Sequence, residues 1–330
     1  MKSFIRNGKR AGIILLSVLC MMSLLLAGCK KGSGGKGKNG KLTVGFAQME
    51  NDGPWRIAET NSIKDEAAKR ADKYDLVVTD AQGQTAKQVS DVEDLIARRV
   101  DAIFLAPREE KGFSQALQAA REAGIPVILV DRETEGTPGT DFVTVLKSDF
   151  VEEGRRAAEW LAKQTNGKAS IVELTGTPGS SVARDRSQGF RDEIAKHPEM
   201  KIIDSQTGNF TRAEGQKVMQ NIIQSKGNEI TAVYAHSDEM AIGAIQALKA
   251  AGKQPGKEII IVSVDGEKAA LEAIMRGEMN ATVECNPRFG PIAFDSLEKH
   301  LKGEKLPPKI INQDRFFDAA NSAKFVNEAF

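Results

Sequence analysis

Three histidines, three cysteines, two tryptophans and two tyrosines are spread through 330 residues, and that scarcity removes whole classes of chemistry. His197, His236 and His300 show no metal-ligand spacing, so a metal centre has no basis in the chain. No Gly-x-Ser-x-Gly elbow is present to carry a hydrolase nucleophile. Cys20 and Cys29 lie near the N-terminus, which leaves Cys285 alone in the body. Without a disulfide framework the fold must rely on its core, and Cys285 reads as a small buried apolar residue. Gly-x-Gly-x-x-Gly does not occur after any strand either. Thr175-Gly176-Thr177-Pro178-Gly179-Ser180-Ser181 lacks a Gly-Lys-Ser/Thr ending and reads as a turn into a helix. No cofactor is implied.

The apolar run from Ile13 to Leu26 is too short for a membrane span. Lys2, Arg6, Lys9 and Arg10 precede it, and Leu26-Ala27-Gly28-Cys29 closes it. Residues 1–28 therefore read as a lipoprotein signal peptide, with Cys29 as the lipidated residue and membrane anchor. Residues 29–41, rich in Lys and Gly, form a flexible tether whose lysines favour an anionic membrane surface. Nine of the 46 bases and none of the 45 acids lie in residues 1–41, so the body carries 37 bases against 45 acids, about −8. An acidic body argues against nucleic acid as a partner.

What the body does have is alternation of strand and helix, run through twice. Strands are expected at Leu42–Gln48, Leu76–Val78, Ala102–Ala106, Val127–Val130, Val143–Leu146, Ser170–Leu174, Ala232–Ala235, Ile259–Val264 and Ala281–Glu284, with amphipathic helices between them. Such alternation gives an α/β fold of two Rossmann-like lobes with parallel sheets.

Val127-Ile128-Leu129-Val130 is a doubly buried strand that ends in Asp131-Arg132. Ligands of open α/β sheets bind beyond the carboxyl ends of the strands. There a carboxylate beside a guanidinium suits a polyhydroxylated ligand, although the pair alone reads more readily as a surface ion pair at a loop start. Asp131 and Asp265 also invite comparison with a glycosidase acid/base pair. Arg132 beside Asp131 better suits a hydrogen-bond acceptor than a general acid, so binding is expected and catalysis is not. Trp55, placed after Asp52-Gly53-Pro54 in a strand-to-helix loop, reads either as core or as a flat face for a sugar, whereas Trp160 is the better core candidate. His236 reads as a packing or hydrogen-bonding residue.

Several motifs resemble the ribose and galactose class of periplasmic sugar-binding proteins of ABC importers. They are Val130-Asp131-Arg132, Ser181-Val182-Ala183-Arg184-Asp185-Arg186 with Gly189-Phe190, Asn209-Phe210-Thr211-Arg212, Ser237-Asp238-Glu239-Met240 and Val264-Asp265-Gly266. Trp55-Arg56-Ile57-Ala58-Glu59-Thr60-Asn61 and Tyr234-Ala235-His236 look like the galactofuranose-binding branch. The resemblance implies a monomer of two type I periplasmic binding protein lobes, 42–147 plus 285–312 and 148–284 plus 313–330, joined by three crossings and closing on a monosaccharide. The implied ligand contacts are Gln48, Trp55, Arg56, Asp131, Arg132, Arg184, Phe210, Ser237 and Asp265, with Trp55 and Phe210 sandwiching the sugar. Ala106 stands where ribose binders carry Asn, and Ser237 where both branches do. The implied partners are a monosaccharide and an ABC permease at the outer face of the membrane. A sensor that presents sugar to a chemoreceptor or histidine kinase would look the same in sequence.

Overall fold

The structure is a computed structural model that describes residues 40–330. The signal-peptide, Cys29 and tether readings lie outside the described residues, apart from the tether's last two positions. The chain runs through β1 (Leu42–Gln48), α1 (Gly53–Lys69), β2 (Tyr74–Asp80), α2 (Thr85–Ala97), β3 (Ala102–Leu105), α3 (Ser114–Glu122), β4 (Val127–Val130) and β5 (Val145–Lys147). A second series follows: α4 (Phe150–Gln164), β6 (Lys168–Thr175), α5 (Ser181–Ile194), β7 (Glu199–Thr207), α6 (Arg212–Lys226), β8 (Ala232–Ala235), α7 (Asp238–Ala250), β9 (Ile260–Asp265), α8 (Lys268–Met275) and β10 (Ala281–Glu284). The chain closes with α9 (Gly290–Leu301), β11 (Lys309–Ile311), β12 (Phe316–Asp318) and α10 (Ser322–Phe325).

Two six-stranded sheets result, ordered β11-β5-β4-β3-β1-β2 and β12-β10-β9-β8-β6-β7. All pairings are parallel except that of β10 with β12. In each sheet the order reverses beside the first strand of its series, the switch point at which α/β sheets open a crevice beyond their strand ends. β3, β4, β8 and β10 are buried along their whole length. That burial explains their unbroken apolar or small-residue character.

The chain passes between sheets after β5, after β10 and after β11. These crossings bond to one another. Cys285 Sγ lies 3.7 Å from Ser148 Oγ, Asn286 N donates to Asp314 Oδ1 at 3.0 Å, and Asn312 Nδ2 donates to the Asn286 carbonyl at 3.2 Å. Helix α9 returns to the first sheet. There Gly290 N donates to Ser62 Oγ at 2.9 Å, and a Cβ on Gly290 would overlap the Ser62 backbone.

Two local expectations change. Ile202-Ile203 belongs to the nine-residue strand β7, whose polar residues hid it because it forms a sheet edge. Trp55 and Arg56 sit in the first turn of α1, with Pro54 at its start, rather than in a loop.

A buried polar cluster anchors the second sheet. His236 Nδ1 accepts from Gly176 N at 3.4 Å, which leaves Nε2 to face Glu173 Oε1 at 3.3 Å as the donor. Burial lowers the His236 pKa, which favours this neutral tautomer. Burial also pushes the Glu173 carboxyl up, but hydrogen bonds from His236, Ser187 and Ser205, with the attraction of the His236 imidazolium once it protonates in acid, outweigh it and hold the pKa at about 2. A depressed folded-state pKa stabilises above the ordinary value of 4.5 and loses that contribution as pH falls to about 2. The contribution is about 3 kcal/mol. In Glu173→Gln, the stability lost between those pH values should shrink by about that amount, read by urea unfolding at stepped pH. An unchanged acid limb would contradict it.

Candidate ligand-binding site

A cavity of about 190 Å3 lies between the strand ends of the two sheets. It is below the roughly 300–1,000 Å3 of drug-sized pockets, a size for one small molecule. Asp131 begins the loop after β4 with φ of 64°, and its backbone N donates to the Leu146 carbonyl at 2.7 Å. Its Oδ2 accepts from Arg56 Nη2 at 2.7 Å and lies 3.5 Å from Arg132 Nε. Arg56 also donates to Glu59 Oε2 at 2.8 Å and lies 4.5 Å from the Trp55 ring centre. The indole N–H of Trp55 donates to the Cys285 carbonyl at 2.7 Å, which ties the ring to the second crossing. Arg132 Nη1 donates to the Arg108 carbonyl at 2.9 Å, while buried Nε has no hydrogen-bond partner among the described residues. Burial and the neighbouring Arg56 cation lower the Arg132 pKa to about 10, so it stays charged at neutral pH.

The second half supplies the other wall. Phe210 adopts a φ of 61° and reaches across the cleft to within 5.2 Å of the Arg132 guanidinium. Gly176 lets it do so, since a Cβ there would overlap the Phe210 ring. Asp265 Oδ2 accepts from Asp238 N at 3.3 Å, and its Oδ1 lies 3.4 Å from Arg186 Nη2. Burial raises the Asp265 pKa well above the carboxylate range despite that guanidinium. Arg186 is itself held by Glu153 at 2.7 Å and by the His236 carbonyl. Ser237 caps α7, accepting from Met240 N at 3.3 Å.

Trp55, Arg56, Asp131, Arg132, Phe210, Ser237 and Asp265 thus line one cavity. Gln48 and Arg184 do not. Gln48 is fully buried behind the wall, where its Nε2 donates to Glu59 Oε2 at 2.8 Å and to Thr60 Oγ1 at 3.1 Å, so it supports the carboxylate that holds Arg56. Arg184 points to the rim, where it pairs with Glu110 of the first half and with Asp185. Two residues along a helix turn by about 200°, so Arg186, not Arg184, faces inward. The rim also joins the halves through Glu110 N to the Gly179 carbonyl at 3.0 Å and Glu133 N to Ser181 Oγ at 3.1 Å. Arg186, Glu267 and Cys285 line the cavity without having been read from the sequence as contacts. The spacing of Arg184 and Arg186 was the available signal for the first. No group of His, Cys, Asp and Glu suited to a metal ion occurs among the described residues.

Two α/β halves joined by crossings, with charged and aromatic groups from both facing one small cavity, define a solute-binding protein. Residues 44–305 match the periplasmic binding protein domain family, and the chain belongs to that family. It is 44% identical over 82% of its length to the galactofuranose-binding protein YtfQ of Escherichia coli (strain K12), of which 85% is covered. Identity is 34% to the ribose import binding protein RbsB of Bacillus subtilis (strain 168), over 83% of this chain and 86% of that one. Among solved structures, the periplasmic component of the arabinose ABC transporter from Shewanella sp. ANA-3, bound to α- and β-L-arabinofuranose, is similar with a TM-score of 0.84. That protein is 42% identical, with 87% of this chain and 95% of that one covered. Among the described residues no helix is long and apolar enough to cross a membrane.

Proposed function

We propose that this chain is the solute-binding component of an ABC sugar importer. It captures a monosaccharide in furanose form, galactofuranose or a close relative, and delivers it to a membrane permease. One observation carries the reading: Asp131 and Asp265 come from separate halves yet border the same small cavity, each beside a buried guanidinium, in a lining that also includes the Trp55 and Phe210 rings. Such groups bind hydroxyls and the apolar face of a sugar together. The names of the galactofuranose, ribose and arabinofuranose relatives support the sugar class. A ligand that touches both halves binds the closed arrangement preferentially and shifts the population toward it. The three bonded crossings act as the hinge between lobes 42–147 plus 285–312 and 148–284 plus 313–330. Export and a lipid on Cys29 would hold this monomer beside its permease. The groups around the cavity bind the sugar without turning it over.

Calorimetry against D-galactose, L-arabinose and D-ribose tests the reading, since each solution contains furanose forms. Heat with a one-to-one stoichiometry for at least one sugar is expected, and that sugar should be recovered unchanged after prolonged incubation. A panel without heat would overturn the proposal.

A further inference from the structure

The cavity contains a carboxyl group that the ring-binding set does not use. Glu267 lies two residues beyond Asp265 at the N-cap position of α8, where its side chain makes no capping bond. Its backbone N donates to Asp238 Oδ2 at 2.7 Å, so the residue is pinned in place. The side chain is 1% exposed, and Oε2 has no hydrogen-bond partner among the described residues. Leaving a buried polar atom unpaired costs about 1–3 kcal/mol, and the residue borders the cavity that could satisfy it.

Its neighbours point the same way. Arg212, a guanidinium whose charge acts on Glu267, is engaged by Glu239 at 3.2 Å from Nε to Oε2 and by a second contact through Nη2. Burial, with Asp265, Asp238 and Glu239 close by, pushes the Glu267 pKa well above its ordinary range. A neutral carboxyl offers one O–H donor and retains acceptor capacity, which matches a hydroxyl in both directions. Asp131, Arg132 and Asp265 are deeply buried, whereas Glu239 and Arg212 are only partly buried and Thr211 is exposed. Glu267 is itself deeply buried, but the groups acting on it include Glu239 and Arg212, which form the partly exposed side of the lining.

We propose that Glu267 is a specificity-determining ligand contact that reads the terminal hydroxyl of the substituent outside the sugar ring. The inference rests on the cavity taking a furanose. A site built around such a hydroxyl rejects an analogue without it, because the buried partner is then left unpaired.

D-Galactose and D-fucose, its 6-deoxy analogue, differ by one hydroxyl on that substituent. Calorimetry with both sugars on the wild type, Glu267→Ala and Glu267→Gln separates the outcomes. The wild type should favour galactose by about tenfold or more. Glu267→Ala should bind the two sugars within about threefold of each other, and Glu267→Gln, which keeps a donor and an acceptor, should retain most of the preference. A merely structural role would weaken both sugars alike and leave their ratio unchanged. Thermal unfolding of each variant identifies loss of fold. Equal wild-type affinities, or a ratio unmoved in Glu267→Ala, would overturn the inference and leave the sugar-binding reading standing. No heat from any sugar in the wild type would remove both.

Discussion

Asp131→Asn is expected to lower sugar affinity by roughly tenfold to a hundredfold and to destabilise the protein. The carboxylate is the counter-charge for two buried guanidiniums, Arg56 at 2.7 Å and Arg132 at 3.5 Å. Arg56 keeps Glu59 at 2.8 Å, but Arg132 loses its neighbouring carboxylate, and breaking a buried pair in this way costs up to about 3–5 kcal/mol. Each sugar hydroxyl that loses a charged acceptor contributes a further loss of about 1.5–3 kcal/mol to binding. Asn is the informative substitution because, like Asp, it tolerates the left-handed φ of 64° at this position. Alanine there would add roughly 1–2 kcal/mol of backbone strain and confuse the two effects. Calorimetry with the best sugar of the panel, alongside thermal unfolding, checks both parts. Wild-type affinity in a folded Asp131→Asn would show that the pair at the end of β4 is structural only.

Gly189→Ala should cause a large loss of stability through the addition of a single methyl group. Helices α4 and α5 cross so closely that a Cβ on Gly189 would overlap the Val151 carbonyl, and one on Gly154 would overlap that of Arg186. The obstacle in each case is backbone, not the movable end of a side chain, so the helices must part. Overpacking of this kind costs about 3 kcal/mol, the upper part of its usual range. The melting temperature should fall by about 5–10 °C. Because α5 carries Arg186 and α4 carries Glu153, parting them also disturbs the ion pair behind Asp265, and affinity should fall with stability. An unchanged melting temperature would mean that the contact is looser than it looks.

Much of the fold was legible because doubly buried strands leave an unmistakable trace. Val127–Val130 and Ala232–Ala235 are apolar throughout, and both are buried on both faces. Edge strand β7 was missed for the opposite reason: half solvated, it needs no apolar run. Trp55 was assigned to the right crevice but to a loop, because Pro54 reads as a break although Pro also opens helices.

Strand ends are sequence-readable sites because a parallel sheet points all its carboxyl ends toward one edge. Asp131, Arg132 and Asp265 could therefore be placed at a common crevice from order and hydropathy alone. Tertiary structure decided the rest. It turned Arg186 inward and Arg184 to the rim, set Gln48 behind the wall with Glu59, and left Glu267 buried at the cavity with an unpaired oxygen. Helix phase and the meeting of two separate halves depend on packing between residues far apart in the chain, and local pattern carries no record of that distance.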